Sequence, residues 1–307
     1  MARKLRVEYP GAVYHVTSRG DRHKPIFRGD RDRELFLDTL GEACLKTGWQ
    51  VHALCLMANH FHLVVETPGT NLVAGMKWFL GAYTARFNRR HNRFGRLFGG
   101  RYKALIVEGG GAGYLKTVCD YVHLNPARAG LLRPGEKLSH YGWSSYPAYL
   151  KPARQRPGWL RVDRLLAGHG LAGDTKAARR KFAGLMEARR GAKLDQEWKG
   201  VRRGWCLGGK EFRRELLKKM RGRTGRHRGG EERPETEEAW AEELLAQELK
   251  RRRWKAAELA RRRKGDAEKV RIARRLRQET TMTVSWIANR LNMGATASLA
   301  NLLRRGG

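Results

Sequence analysis

The sequence predicts an α+β protein: a ferredoxin-like antiparallel sheet with helices packed on one face, followed by an α-helical C-terminal region. Three observations carry this expectation. Period-two alternation is concentrated in the first half, the segments there follow the order β-α-β-β-α-β-α, and the second half reads as charged helix. A length of 307 residues suggests more than one module, and 41% hydrophobic residues exclude wholesale disorder.

Ala12 to Ser18 alternates and is rich in β-branched and aromatic residues, so it reads as a strand that Arg19-Gly20-Asp21 ends. Asp30 is placed to cap a helix over about Arg31 to Thr47, with Leu35, Phe36 and Leu40 on one face and Gly48 just past its end. Trp49 to Leu56 and His60 to Glu66 read as strands joined by the turn Met57-Ala58-Asn59. Asn71 opens a helix to about Arg90 that carries Leu72, Met76, Phe79 and Tyr83. Arg101 to Glu108 is the fourth strand, and Ala112 to Leu124 a helix stopped by Pro126.

A second module begins after the Pro- and Arg-rich stretch Lys151 to Gly158. Residues 159–190 and 208–220 read as helical, Arg221 to Pro234 as a linker, and Thr236 to Arg263 as a long charged helix. Val284 to Leu291, then Asn292-Met293-Gly294, then Ala297 to Leu303 form a helix-turn-helix pattern, with Val270 to Gln278 as its preceding helix. A small helical bundle packed on the first module fits the same pattern.

Charge narrows the function. The chain has 64 Lys+Arg against 30 Asp+Glu, a net charge of +34 and a pI near 11.0. That balance disfavours an ordinary metabolic enzyme and points to a polyanionic partner, nucleic acid first. No run approaches the roughly 20 apolar residues of a spanning helix, so no membrane partner is expected. The basic start Met1-Ala2-Arg3-Lys4 has no apolar stretch behind it, so no signal peptide is expected. Four scattered cysteines without CxxC spacing fit a reducing cytoplasm.

Two motifs carry chemistry. In Asn59-His60-Phe61-His62-Leu63 the histidines alternate on a strand and share a face, where two imidazoles can ligate a divalent metal. In Tyr121-Val122-His123-Leu124-Asn125-Pro126 the tyrosine and the asparagine are four residues apart on one helix face. Each alone reads equally as ordinary structure: strand histidines, a core tyrosine and a helix terminator.

Together they resemble HUH-type single-tyrosine transposases, and most closely the REP-associated tyrosine transposases. The resemblance runs through Tyr14-His15-Val16-Thr17-Ser18-Arg19-Gly20, Met57-Ala58-Asn59-His60-Phe61-His62-Leu63 and Arg101-Tyr102-Lys103-Ala104. It continues through Tyr121 to Leu131 and Trp143-Ser144-Ser145-Tyr146, in the family's order across about residues 5–150. Ala58 departs from the proline usual in that turn. The resemblance implies the HUH nuclease fold, with Mg²⁺ or Mn²⁺ held by His60, His62 and Asn125. It further implies attack by Tyr121 on a scissile phosphate of single-stranded, hairpin-bearing DNA, giving a 5′-phosphotyrosine and a free 3′-OH. Two imidazoles would also hold zinc.

His15 and His123 match no carried-over ligand position and are read as structural or DNA-contacting. The basic residues Arg19, Arg86, Arg89, Arg90, Arg93, Arg96, Arg101, Lys103 and Arg128 are the candidate DNA contacts. Aromatics are interleaved among them, most of whose phenylalanines are expected in the core. The implied partition is a catalytic region over 1–150, a basic helical segment and linker over 151–235, and a DNA-binding helical region over 236–307 with duplex DNA as its partner. A bacterial, nucleoid-associated location follows from the resemblance, and monomer or dimer stays open. The competing class is a non-catalytic regulator that binds palindromic DNA or structured RNA with the same fold.

Overall fold

The computed structural model describes residues 7–111, 113–190, 197–202, 204–224 and 232–304. Its centre is a five-stranded sheet of β1 (Ala12–Arg19), β2 (Gln50–Met57), β3 (His60–Thr67), β4 (Lys103–Val107) and β5 (Cys206–Leu207), in the order β2-β3-β1-β4-β5. The pairings among the first four strands are antiparallel, while β5 runs parallel to β4. The sheet is therefore mixed, which corrects the all-antiparallel expectation. A strand that returns from far along the chain is not bound to the direction a hairpin imposes.

Both faces of the sheet are covered. Helices α1 (Asp30–Thr47) and α2 (Leu72–Arg90) lie on the Phe61 face, where the Phe61 ring is 5.0 Å from Phe36 and 6.2 Å from Phe79. Helix α3 (Tyr114–His123) lies on the opposite face, with Tyr121 against His62. The expectation of helices on one face is thus corrected. Strands β2 and β3 are buried along most of their length, so alternate residues on both sides need a partner layer.

Local chemistry explains the ends of α1. Gly48 takes a left-handed φ of 69° and its N–H closes on the Cys44 carbonyl at 2.8 Å. At the other end Gly29, not Asp30, is the cap, and Asp30 is the first helical residue, where its carboxylate faces the positive end of the helix dipole.

One hydrophobic core extends from Val7 to Leu216. It takes in α4 (Asn125–Arg128), α5 (Tyr146–Tyr149), α6 (Asp163–Gly168), α7 (Lys176–Arg190), α8 (Lys199–Arg202) and α9 (Lys210–Thr224). The stretch 151–158 is tied down rather than loose. Arg156 donates to Asp174 at 2.7 and 2.9 Å and to the carbonyls of Ala148 and Tyr149.

A second core, from Ala241 to Leu299, is formed by α10 (Glu232–Arg252), α11 (Glu258–Arg261), α12 (Ala267–Glu279), α13 (Val284–Arg290) and α14 (Thr296–Arg304). Of the expected linker 221–234, residues 225–231 lie outside the described residues and the flanks are helical in α9 and α10. The two cores meet where Lys46, in the last turn of α1, donates to the carbonyls of Arg277 and Gln278 just ahead of Thr280. Among the described residues no helix is long and apolar enough to cross a membrane.

Gly75 in α2 illustrates how tightly the first core is packed. A Cβ there would lie 2.2 Å from Cζ2 of Trp49, whose indole N–H is fixed on the Asn71 side-chain oxygen at 2.9 Å. Helix propensity alone favours alanine over glycine by about 1 kcal/mol. The overlap should reverse that sign, and Gly75→Ala should destabilise the fold by about 1–3 kcal/mol. Urea unfolding of the variant checks this; a higher midpoint would contradict the packing described.

Candidate functional site

The strand register assembles one polar face. Thr17 stands opposite His62 and Arg19 opposite His60 across β1 and β3, and Lys103 of β4 stands opposite Thr17. Directly opposed residues in antiparallel strands project to the same side. His60, His62, Arg19, Thr17 and Lys103 therefore share a face, and Phe61 belongs to the other.

Five aromatic or imidazole rings converge there. His60 and His62 are 5.1 Å apart between ring centroids, and His15 stacks on His62 at 5.2 Å with 16° between planes. The Tyr121 ring stands edge-on to both His62 and His15 at 5.9 Å. Above it, the Arg128 guanidinium lies 4.5 Å from the Tyr121 ring and 4.6 Å from Trp198, and Trp198 itself is 5.7 Å from Tyr121. Tyr121 is 9% exposed. The structure thus brings together His60, His62 and Tyr121 from β3 and α3, with Arg128 from α4.

Hydrogen bonds orient the imidazoles. Nδ1 of His60 donates to Oδ1 of Asn59 at 2.8 Å, which leaves Nε2 carrying the lone pair while the ring is neutral. Nδ1 of His62 is joined to Nε2 of His15 at 2.9 Å. Burial pushes His15 down to about 4. Burial, with the Arg19 charge, takes His60 to about 4. His62 lies well below its ordinary value through burial and the neighbouring His15, His60, Arg128 and Arg19. All three rings are neutral at neutral pH.

Asn125 opens α4, is 8% exposed, and its Nδ2 has no hydrogen-bond partner. An unsatisfied buried amide costs on the order of 1–3 kcal/mol, so its end is suited to a group supplied from outside. Among the described residues no group of three or more His, Cys, Asp or Glu is placed to hold a metal ion. Any metal at this face would rest on imidazole and amide donors.

The candidate DNA contacts divide. Arg86 is engaged with Thr39 and Glu42, and Arg90 lies 3.3 Å from Asp32. Arg19, Arg89, Arg96, Arg101 and Lys103 are exposed, and Arg93 is half-buried. His123 is buried against Ser145, 2.8 Å from its Oγ, consistent with a structural role.

Two members of the cluster escaped sequence reasoning. His15 sits on the polar face by alternation, but only the strand order brings it against His62. Trp198 arrives from a segment with no local signal at all.

The candidate site is thus a set of strand histidines facing a helix tyrosine across one side of a mixed sheet. Residues 9–125 match the family described as Transposase IS200 like, a segment that runs from just before β1 to the first residue of α4. The resemblance to tyrosine transposases read from the sequence is borne out over that segment. One solved structure, of a REP-associated tyrosine transposase bound to a REP hairpin, is similar at 12% identity, covering 52% of this chain and 91% of that chain with a TM-score of 0.41. No curated protein matches the chain.

The buried histidines make stability depend on pH. His15 and His123 titrate near 4 when folded and near 6.5 ordinarily, so between these values the unfolded chain binds protons that the folded chain does not. Their contribution is fully present above about pH 6.5 and is lost as pH falls toward 4. The urea midpoint should drop through that window, with net proton uptake on unfolding at about pH 5. A flat midpoint would contradict the burial described.

Proposed function

We propose that this chain is a metal-dependent single-stranded DNA endonuclease and strand transferase that acts on hairpin-bearing DNA through Tyr121. The observation that carries this reading is the meeting of Tyr121 with His62, from a helix and a strand remote in sequence. The match of residues 9–125 to a transposase family supports it.

The donor set fits a divalent metal: two neutral imidazoles and the carbonyl oxygen of the buried Asn125 amide, whose unpartnered Nδ2 is left to donate to a phosphate oxygen. His60, His62 and the side-chain oxygen of Asn125 would hold it, with phosphate and water oxygens completing a shell suited to Mg²⁺ or Mn²⁺. Such an ion supplies polarisation of the scissile phosphate and stabilisation of developing charge.

The chain's own residues then perform the transfer. Tyr121 Oη bonds to the phosphorus as the P–O3′ bond breaks; the tyrosine loses its proton and the departing 3′ oxygen gains one. The products are a 5′-phosphotyrosine and a free 3′-OH. Attack by a second 3′-OH reverses the step and rejoins strands without ATP. Arg128, stacked on the Tyr121 ring, is positioned to meet a phosphate at that place. Arg19 and Lys103 on the same face neutralise further phosphates, joined by the candidate contacts Arg89, Arg93, Arg96 and Arg101.

We assign this chemistry to residues 1–150 and duplex contact to 236–307, with the segment between them joining the two. A helix-turn-helix reading is supported by the Thr283 hydroxyl capping α13 at Trp286 N–H and by a left-handed Gly294 in the turn. The exposed Ser298, Asn301 and Arg304 of α14 suit a groove. Asn301→Glu with Arg304→Glu should weaken duplex binding more than tenfold at fixed salt while leaving cleavage of a saturating hairpin intact. Unchanged duplex affinity would reduce α12–α14 to a structural bundle.

The decisive experiment mixes the protein with a labelled hairpin oligonucleotide and Mg²⁺ or Mn²⁺. Wild type should give a denaturation-resistant adduct mapped to Tyr121. Tyr121→Phe should fold normally and form none. His60→Ala or His62→Ala should abolish cleavage while retaining hairpin binding, and Asn125→Ala should be milder because water can replace a neutral oxygen. Cleavage surviving Tyr121→Phe would overturn the nucleophile, and hairpin binding with no adduct in wild type would favour the non-catalytic regulator.

A further inference from the structure

The loop between α2 and β4 presents Phe94 97% exposed, the most exposed large apolar side chain among the described residues. The phenylalanines around it behave differently: Phe87 and Phe98 are buried. A single exposed apolar side chain is ordinary on a protein surface; what sets Phe94 apart is the held loop that presents it and the arginines that flank it.

The loop that carries it is held on both sides. The Arg93 N–H donates to the Asn88 carbonyl at 2.8 Å, and the Asn88 side-chain amide donates to the Gly95 carbonyl at 2.9 Å. His91 donates to both carboxylate oxygens of Asp32 at 2.9 Å. Left-handed residues at Asn92, φ 48°, and Gly95, φ 86°, turn the chain outward. Leu97 and Phe98 then anchor it. The Asp21 N–H donates to the Leu97 carbonyl and the Gly99 N–H to the Arg19 carbonyl, each at 2.9 Å.

Those anchors fix where the ring stands. Arg19 pairs with His60, and the Gly20 N–H donates to the Asn59 carbonyl at 2.8 Å. The Phe94 loop is therefore knitted to the end of the sheet that bears His60. Flanking it in sequence, the side chains of Arg89, Arg93, Arg96 and Arg101 form no hydrogen bond or ion pair with the described residues.

We propose that Phe94 is a stacking platform for an unpaired DNA base, with the guanidinium groups of Arg93 and Arg96 taking the flanking phosphates. Unpaired cations beside one rigidly presented aromatic ring match the two needs of a single strand: phosphate neutralisation and a flat apolar face for a base. A protein partner would have to cover the same guanidinium groups with acids. The inference rests on the reading of this chain as a single-strand DNA-processing protein, and names where the strand is gripped as it passes His60.

The test uses the full chain and a hairpin oligonucleotide with 2-aminopurine placed singly along its unpaired flank. Wild-type protein should quench the fluorescence at one flank position. Phe94→Ala should abolish that quench and weaken binding about tenfold. Phe94→Tyr should restore both, and the thermal midpoint of Phe94→Ala should equal that of wild type because the ring touches no core.

Equal affinity and equal quenching in Phe94→Ala would overturn the proposal. So would a change in oligomeric state caused by Phe94→Ala with DNA binding unchanged, since the ring would then serve a second copy of the chain. Phe94-dependent quenching in a protein that forms no Tyr121 adduct would sink the catalytic reading and leave the platform standing. A Tyr121 adduct in wild type with no Phe94-dependent quenching would do the reverse.

Discussion

The antiparallel pairing of β1 with β3 sets Thr17 opposite His62 and Arg19 opposite His60, and the polar face exists only in that register. Because successive strand residues alternate sides, a slip of one residue would carry every β1 side chain to the other face and put Val16 where Thr17 stands. The Phe61 face guards against the slip. Phe36, Phe79 and Tyr83 from α1 and α2 pack into one aromatic cluster with Phe61, which fits a single alignment. The apolar side of the sheet thereby fixes the geometry of the polar side, and the site is a consequence of the core.

On the polar face the governing constraint is desolvation. Three imidazoles packed together cannot all be charged, and burial holds each of them neutral. Neutrality is also what leaves a lone pair on each ring. Fixed positive charge reaches this face from Arg19 and Arg128 at the rim. A face of neutral donors edged by guanidinium groups repels no phosphate and gives it charge to meet. The cover that Trp198 and Arg128 form over Tyr121 comes from beyond the family-matching segment, so the rest of the chain shapes access to the tyrosine.

Sequence reading succeeded where local periodicity carries the information. The first four strands and the helices from Asp30, Leu72 and Tyr114 lie within a few residues of where alternation and capping placed them. It failed where distant segments meet. Cys206–Leu207 is too short to show a strand pattern, and its parallel run beside β4 depends on a return path that no local rule encodes. The face chosen by α3 was likewise hidden, because its own amphipathic pattern says that one side is buried but not against which side of the sheet. His15 was legible as a strand histidine and illegible as the partner of His62, since strand order decides that contact. The roles of His60, His62, Tyr121 and Asn125 came from the resemblance and not from their spacing, which fits ordinary structure equally well.

A net charge of +34 poses a last problem, since like charges oppose the compact state. The chain answers it by placing acids at packing joints, each facing several cations. Glu66 meets His52, Arg161 and Arg164, and the His52 hydrogen bond with the Arg164 charge holds its carboxyl near 2 against burial. Asp120 meets Lys116, His169 and Arg189, and Glu248 meets Arg251, Arg252 and Arg275. Neutralisation at the joints leaves unpaired guanidinium groups beside the Phe94 loop, at the His60 end of the sheet. A polyanion seated there would relieve the remaining repulsion as it fills the site. Under the proposed function, binding and folding would share one electrostatic free energy, and DNA seated there would stabilise the same fold that sets Tyr121 against His62.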